Sequence, residues 1–381
     1  MSKLQEMYRN AIDLNRYSNG ISRRLIRAYN DVVLDAVDQL RGIDELASPV
    51  KAARLRAILA QVNDSLSTWS ATSIDEITRE FQGLAVLQSE FSAEQLQKAL
   101  PAGAARTVRT VEISPSLAQA IVTSQPTAAG VVDLSDSFLQ IASDPITFQL
   151  TVGQQVSLPN GEVLREAFQN LSSRQSELFS LSVRNGILEG QSIESIVRSV
   201  KGRLNREQRG SIDTIIAAGG QSTSIPNNQI RAIVRTSVNQ VSVAADRIVA
   251  ADNPDLTKKY RYTATLDTKT SAICRALDGE IFVHGKGPYP PQHYNCRSRY
   301  VNIPSGLEKE FKNIRDDYGE WLNDQNEATK KDVLGPGRLA MWDGLVKKYG
   351  ANDAIKKYVK KDGSELTLEQ LRSRYFSGQA S

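Results

Sequence analysis

Apolar residues recur at three- and four-residue steps over the first hundred positions, and that spacing predicts helix. Ile21, Leu25, Tyr29, Val32, Val33, Ala36 and Leu40 share one side, with Arg23, Arg24, Arg27, Asp31 and Asp38 between them. Ser18-Asn19-Gly20 predicts a break, hence two helices within residues 1–45. Ser48-Pro49 restarts a helix along Ala52, Leu55, Ile58, Leu59 and Val62. Ser73-Ile74-Asp75-Glu76 and Ser92-Ala93-Glu94-Gln95 have the form of capping boxes, opening two further helices. Residues 1–100 are therefore expected to form an N-terminal helical domain, an antiparallel bundle with short loops.

The pattern then changes. From Pro101 to about Ser143 Ala, Thr, Ser, Gly and Pro dominate, and residues 146–158 alternate apolar and polar positions before Pro159-Asn160-Gly161. Residues 101–158 thus read as a linker or extended arm with a short strand or hairpin. Helical spacing returns through Leu164, Phe168, Leu171, Leu178 and Val183, again after Ser192, and again from Ile230 to Ala251. Tyr260–Leu266 alternates β-formers and predicts a strand, Asp267 is placed to cap a short helix over 270–276, and 280–283 and 299–303 predict two more strands. Asp278-Gly279 reads as a turn. Residues 305–381 are charged and helical, with Trp321 and Trp342 as packing anchors. The fold class expected is α+β, predominantly helical. The domains expected are 1–100, the 101–158 arm, 159–304 with a small β-containing Cys/His subdomain at 260–304, and a C-terminal extension over 305–381.

Composition refines this little. An apolar fraction of 40%, a charged fraction of 24% and a net charge of +4 over 381 residues describe an ordinary soluble protein. No apolar run approaches the ~20 residues that cross a bilayer, and Met1-Ser2-Lys3-Leu4-Gln5-Glu6 has no signal-peptide character, so a reducing cytoplasm and no membrane anchor are expected. Two runs are basic, Arg198–Arg209 around Arg203 and Lys356–Lys361 around Lys357. Each reads first as a solvated face, and the first run reads second as a contact for phosphate or an acidic neighbour.

The chemistry is concentrated between Cys274 and Cys296, a stretch that holds both cysteines and both histidines of the chain, Cys274, His284, His293 and Cys296. Two thiols and two imidazoles are a usual ligand set for structural zinc, and His293 and Cys296 are spaced to leave one knuckle. Four other readings use the same residues. They are a Cys274–Cys296 disulfide, a Cys274 nucleophile with His293 as base, a nuclease-type metal motif at His293-Tyr294-Asn295, and buried thiols with locally bonded histidines.

Two blocks, Asp267-Thr268-Lys269-Thr270-Ser271-Ala272-Ile273-Cys274-Arg275-Ala276-Leu277-Asp278-Gly279 and Pro290-Pro291-Gln292-His293-Tyr294-Asn295-Cys296-Arg297-Ser298, resemble the phage Mu protein F-like family. The resemblance covers about 160–304, and an Arg235-Thr236-bearing helix upstream belongs to it. It departs at Ser298, where many relatives carry a second cysteine; His284 is the available replacement ligand. The resemblance implies a minor head, or head morphogenesis, protein of a tailed bacteriophage, located in the virion. It also implies a few copies per head, with the portal or major capsid protein and the packaged DNA as partners. It implies no enzyme. The alternatives are a zinc- or cysteine-dependent hydrolase using Cys274 and His293, and a DNA-binding or ejected virion protein using the basic runs.

Overall fold

In the computed structural model, the described residues are 3–43, 48–101, 107–110, 164–197, 224–312, 317–360 and 365–376. The arm with its expected hairpin lies outside them, except for a few residues, and so does the basic run around Arg203.

Four long helices, α1 (Lys3–Arg41), α2 (Ser48–Ala99), α3 (Leu164–Leu188) and α4 (Ser224–Asp252), make one hydrophobic core. Ile21, Leu25, Trp69, Phe81, Phe168, Val183, Val234 and Val241 sit at its centre. Each such side chain contributes roughly 1.5–3 kcal/mol when fully buried. Trp69 ties the helices together, donating from Nε1 to Leu25 O (3.1 Å) and packing edge-on to Tyr29 with centroids 5.3 Å apart. The first two helices therefore share their core with α3 and α4.

The breaks expected in α1 and α2 do not occur. Ser18 is buried and turns its hydroxyl onto Asn15 O (2.8 Å), while Asn19 faces Arg235 of α4. Ser73 and Ser92 are likewise buried inside α2. A capping-box sequence opens a helix when its serine leaves the helical path; here the partner helices pack along the whole length, and burial of the continuous stripe outweighs a cap.

The sheet is small and antiparallel: β1 (Thr257–Thr263) lies between β2 (Ile281–Val283) and β3 (Arg299–Pro304). Tyr260 pairs with Phe282 on one side and Asn302 on the other, and Tyr262 with Tyr300. A short helix, α5 (Ala272–Leu277), fills the β1–β2 connection. Its cap is Ser271, whose hydroxyl accepts from Cys274 N (3.4 Å), and not Asp267 as the sequence suggested. Asp267 instead accepts from Lys269 N (3.0 Å) and grips both ends of the Arg297 guanidinium (2.5 and 2.8 Å).

The tail folds back on this unit as α6 (Glu308–Lys312), α7 (Tyr318–Asn323), α8 (Glu327–Tyr349), α9 (Ala351–Lys356) and α10 (Leu368–Tyr375). α8 kinks at Gly335 (φ 73°), just before Pro336. Trp342, Leu345, Tyr358 and Leu371 share one cluster with Tyr262, Cys274 and Cys296. Arg261, fully buried on the central strand, pairs with Asp317. Lys356 is drawn to Glu280 (2.5 Å) and Lys357 lies over the Tyr349 ring at 4.8 Å, so these two lysines of the second basic run face groups of the fold.

Candidate metal centre

Helix α4 builds the loop that carries His293 and Cys296. Asn239 donates through Nδ2 to Cys296 O (2.9 Å) and Ser298 O (3.1 Å), and Thr236 Oγ1 accepts from Asn295 N (3.0 Å). Asn295 takes the left-handed conformation (φ 61°), which asparagine tolerates better than most residues, and its Oδ1 accepts from Arg235 Nη1 (3.1 Å). The knuckle closes with Cys296 N donating to His293 O (3.1 Å). On the other side α5 and its Ser271 cap present Cys274.

Three donors converge there. Cys274 Sγ lies 3.6 Å from Cys296 Sγ and 3.4 Å from His293 Nε2, and all three atoms fall within 4.8 Å of one another. Neighbouring donors around a tetrahedral zinc, with bonds of about 2.3 Å to sulfur and about 2.0 Å to nitrogen, sit roughly 3.5–3.8 Å apart. The residues present fit that ion. The ring of His293 is oriented for it: Nδ1–H donates to Tyr294 O (2.8 Å), which leaves the lone pair of the neutral imidazole on Nε2. Nε2 also meets the Ser271 hydroxyl at 2.7 Å, and Tyr262 O–H reaches Cys274 Sγ at 3.2 Å.

The charges favour a thiolate. A hydrogen bond from Cys296 holds Cys274 well below the ordinary thiol range against the opposing effect of burial, and His293 adds to it. Giving that hydrogen bond pushes Cys296 up, as does its burial. Burial disfavours charged His293, but the neighbouring Cys274 outweighs this and raises it. Binding a divalent cation here would displace the remaining protons from Cys296 and Nε2.

His284, the fourth ligand expected from sequence, is placed elsewhere. Its Nδ1 bonds the Tyr289 hydroxyl (2.8 Å) and its ring packs among Tyr260, Tyr289 and Tyr300. Burial pushes its pKa down to about 4, so it stays neutral beside these rings. Among the described residues, the group of histidine, cysteine and carboxylate side chains able to hold an ion comprises Cys274, His293 and Cys296. Sequence reasoning missed Asn239 and Tyr262, which lie on α4 and β1. Ser271 was legible in principle, since a serine three residues before Cys274 is an N-cap pattern.

Residues 178–301 match the model of the family described as Phage Mu protein F like protein. Over that stretch the chain is similar to this family. The match runs from within α3 through α4, the sheet and the three-donor cluster into β3, and so covers the elements that hold the cluster. No curated protein and no solved structure matches the chain. Among the described residues no helix is long and apolar enough to cross a membrane.

Proposed function

We propose that this protein is a structural minor head protein of a tailed bacteriophage that acts in head assembly and DNA packaging beside the portal or the inner capsid. The observation that carries this reading is where the residues of the Mu F-like blocks spend their polar atoms. Asp267 holds Arg297, Ser271 caps α5 and meets His293, and Asn295 bridges to Arg235. Asp278 accepts from Ala264 N and Tyr318 N, both at 2.6 Å. Each ties one segment of the fold to another, as architecture requires. Cys274, His293 and Cys296 would hold zinc, which supplies a cross-link between loops of little core of their own.

One observation favours a second reading. Three protein donors, with the fourth position left to another group, is the pattern of catalytic zinc, and it keeps a hydrolase with Cys274 and His293 in play.

Elemental analysis of the purified chain, beside Cys296→Ser, decides the metal. About one zinc per chain, lost in the variant with thermal stability and without loss of hydrolytic activity, is the expected result. Hydrolysis that depends on the metal would move the assignment to the second reading. Electron microscopy of lysates from phage lacking the protein tests the role. Heads that fail to assemble or fill are expected, and a normal yield of filled heads would overturn it.

A further inference from the structure

α1 and α4 run antiparallel along one seam, as the bonds at its two ends show. Arg235 Nη2 donates to Asn19 Oδ1 (3.0 Å), whereas Asn10 and Asp246 are joined through Gln88 (3.2 and 2.8 Å). That register places Arg23 and Arg27 of α1 across from Arg231 and the turn before it. Arg23 folds back onto Asn19 O (3.2 Å) and Arg231 onto Asn228 Oδ1 (3.3 Å). Arg24, turned toward α2, pairs with Glu76 and Glu80 (2.7 and 2.5 Å). Among the described residues, none of Arg23, Arg27, Arg231 and Arg235 makes an ion pair.

Arg235 is the unusual one. Its guanidinium is half-buried, meets two neutral amide oxygens (Asn19 and Asn295), and keeps an Nε–H that is buried without a partner. Cations drawn into a protein are ordinarily matched by an anion. The charges facing it are those of Arg231 and Arg297, and Arg297 is already taken by Asp267. An anion is what this cluster lacks.

We propose that the α1–α4 seam is a docking surface for the phosphate backbone of duplex DNA, with Arg235 as its innermost contact and Arg23, Arg27 and Arg231 beside it. The cleft at Arg235 is about 20 Å³ and lined by Asn15, Asn239, Arg297 and Arg299 together with Cys296 and apolar side chains of α1 and α4, with no aromatic ring in its wall. It admits an oxygen and not a base, and it offers no stacking platform for a single strand. Arginines in two rows with asparagines between them suit phosphate contacts, which position a duplex without reading its sequence. This surface is distinct from the basic runs around Arg203 and Lys357.

The test is fluorescence anisotropy of the full chain with a labelled mixed-sequence duplex of about 20 base pairs, from about 50 to about 200 mM salt. Arg231→Gln/Arg235→Gln is expected to weaken binding about tenfold near 100 mM salt and to flatten the log–log salt slope by about 2. Because Arg235 is half-buried, Arg23→Gln/Arg27→Gln provides an exposed counterpart, with a similar flattening expected. Lys347→Gln/Lys348→Gln, exposed on α8, removes the same charge and is expected to change affinity less than about twofold. No duplex binding by the wild type, unchanged binding in both seam variants, or an equal loss in the α8 control would each overturn the proposal. So would tighter binding of an oligo-glutamate peptide, which would assign the seam to an acidic protein partner. None of these outcomes bears on whether phage heads need the protein.

Discussion

Asp278 shows how much structure one side chain of the Mu F-like blocks carries. Each of its oxygens takes one backbone N–H, from Ala264 at the end of β1 and from Tyr318 at the start of α7. The sequence read it as half of a turn dipeptide, and the turn is there, with Gly279 at φ 77°. Its burial is what the sequence did not reveal. Burial pushes its pKa up to about 7, with Asp317 adding and the Ala264 N–H opposing. A carboxyl whose folded value lies above its ordinary one stabilises the fold in full below about pH 4, and that contribution fades as pH rises toward 7. Asp278→Asn cannot accept from both N–H groups and is expected to cost about 1–3 kcal/mol at pH 5. Urea denaturation should find the wild type's margin over this variant smaller at pH 8 than at pH 5. A margin that grew with pH would mean that the two N–H groups hold the carboxylate charged despite its burial.

At the level of elements, periodicity carried the reading a long way. The apolar stripes of α1, α3 and α4, the three strands and the His293–Cys296 knuckle are all where spacing put them. What spacing could not decide was the fate of polar residues with two uses. Ser73 and Ser92 are caps if they meet solvent and core residues if a helix covers them; His284 is a ligand or a ring in an aromatic cluster. Those outcomes are set by contacts with residues far along the chain, such as Gln88 with Asp246 or Tyr260 with His284. Two glycines test the element boundaries in opposite directions. Gly20, at the expected break in α1, has open space around its missing Cβ, so Gly20→Ala should stabilise the protein by about 0.5–1 kcal/mol in a thermal melt. A loss of stability there would restore the break. Gly319 lies where α7 crosses the start of α9, and a Cβ would stand 2.4 Å from Ala351 O and 2.5 Å from Asn352 Cα. Backbone cannot yield as a side chain can, so Gly319→Ala is expected to destabilise by about 1–3 kcal/mol or more.

Across the whole molecule, the stretch that resembles a known family is not a unit of packing. The match ends at residue 301, yet Cys274 and Cys296 share one hydrophobic cluster with Trp342, Leu345, Tyr358 and Leu371 from beyond it. The tail, which the sequence presents as a charged extension, completes the core over the three-donor cluster and locks on through Arg261–Asp317 and Arg275–Glu365 (3.2 Å). The helical core of α1–α4 is a separate apolar cluster, joined to the C-terminal half through Asn239 and Thr236 of α4 and the buried Arg299–Asp246 pair (2.5 Å). Trp342 is fully buried, and Trp342→Ala should cost about 3–5 kcal/mol in the C-terminal half. Both cysteines are 1% exposed, so in metal-stripped wild type a thiol reagent reaches them only when the surrounding structure opens. If the tail is the cover, the variant should label both thiols about a hundredfold faster or more. Unchanged labelling would mean that α5 and the Cys296 loop shield the thiols on their own, and that the tail only rests against a cluster already closed.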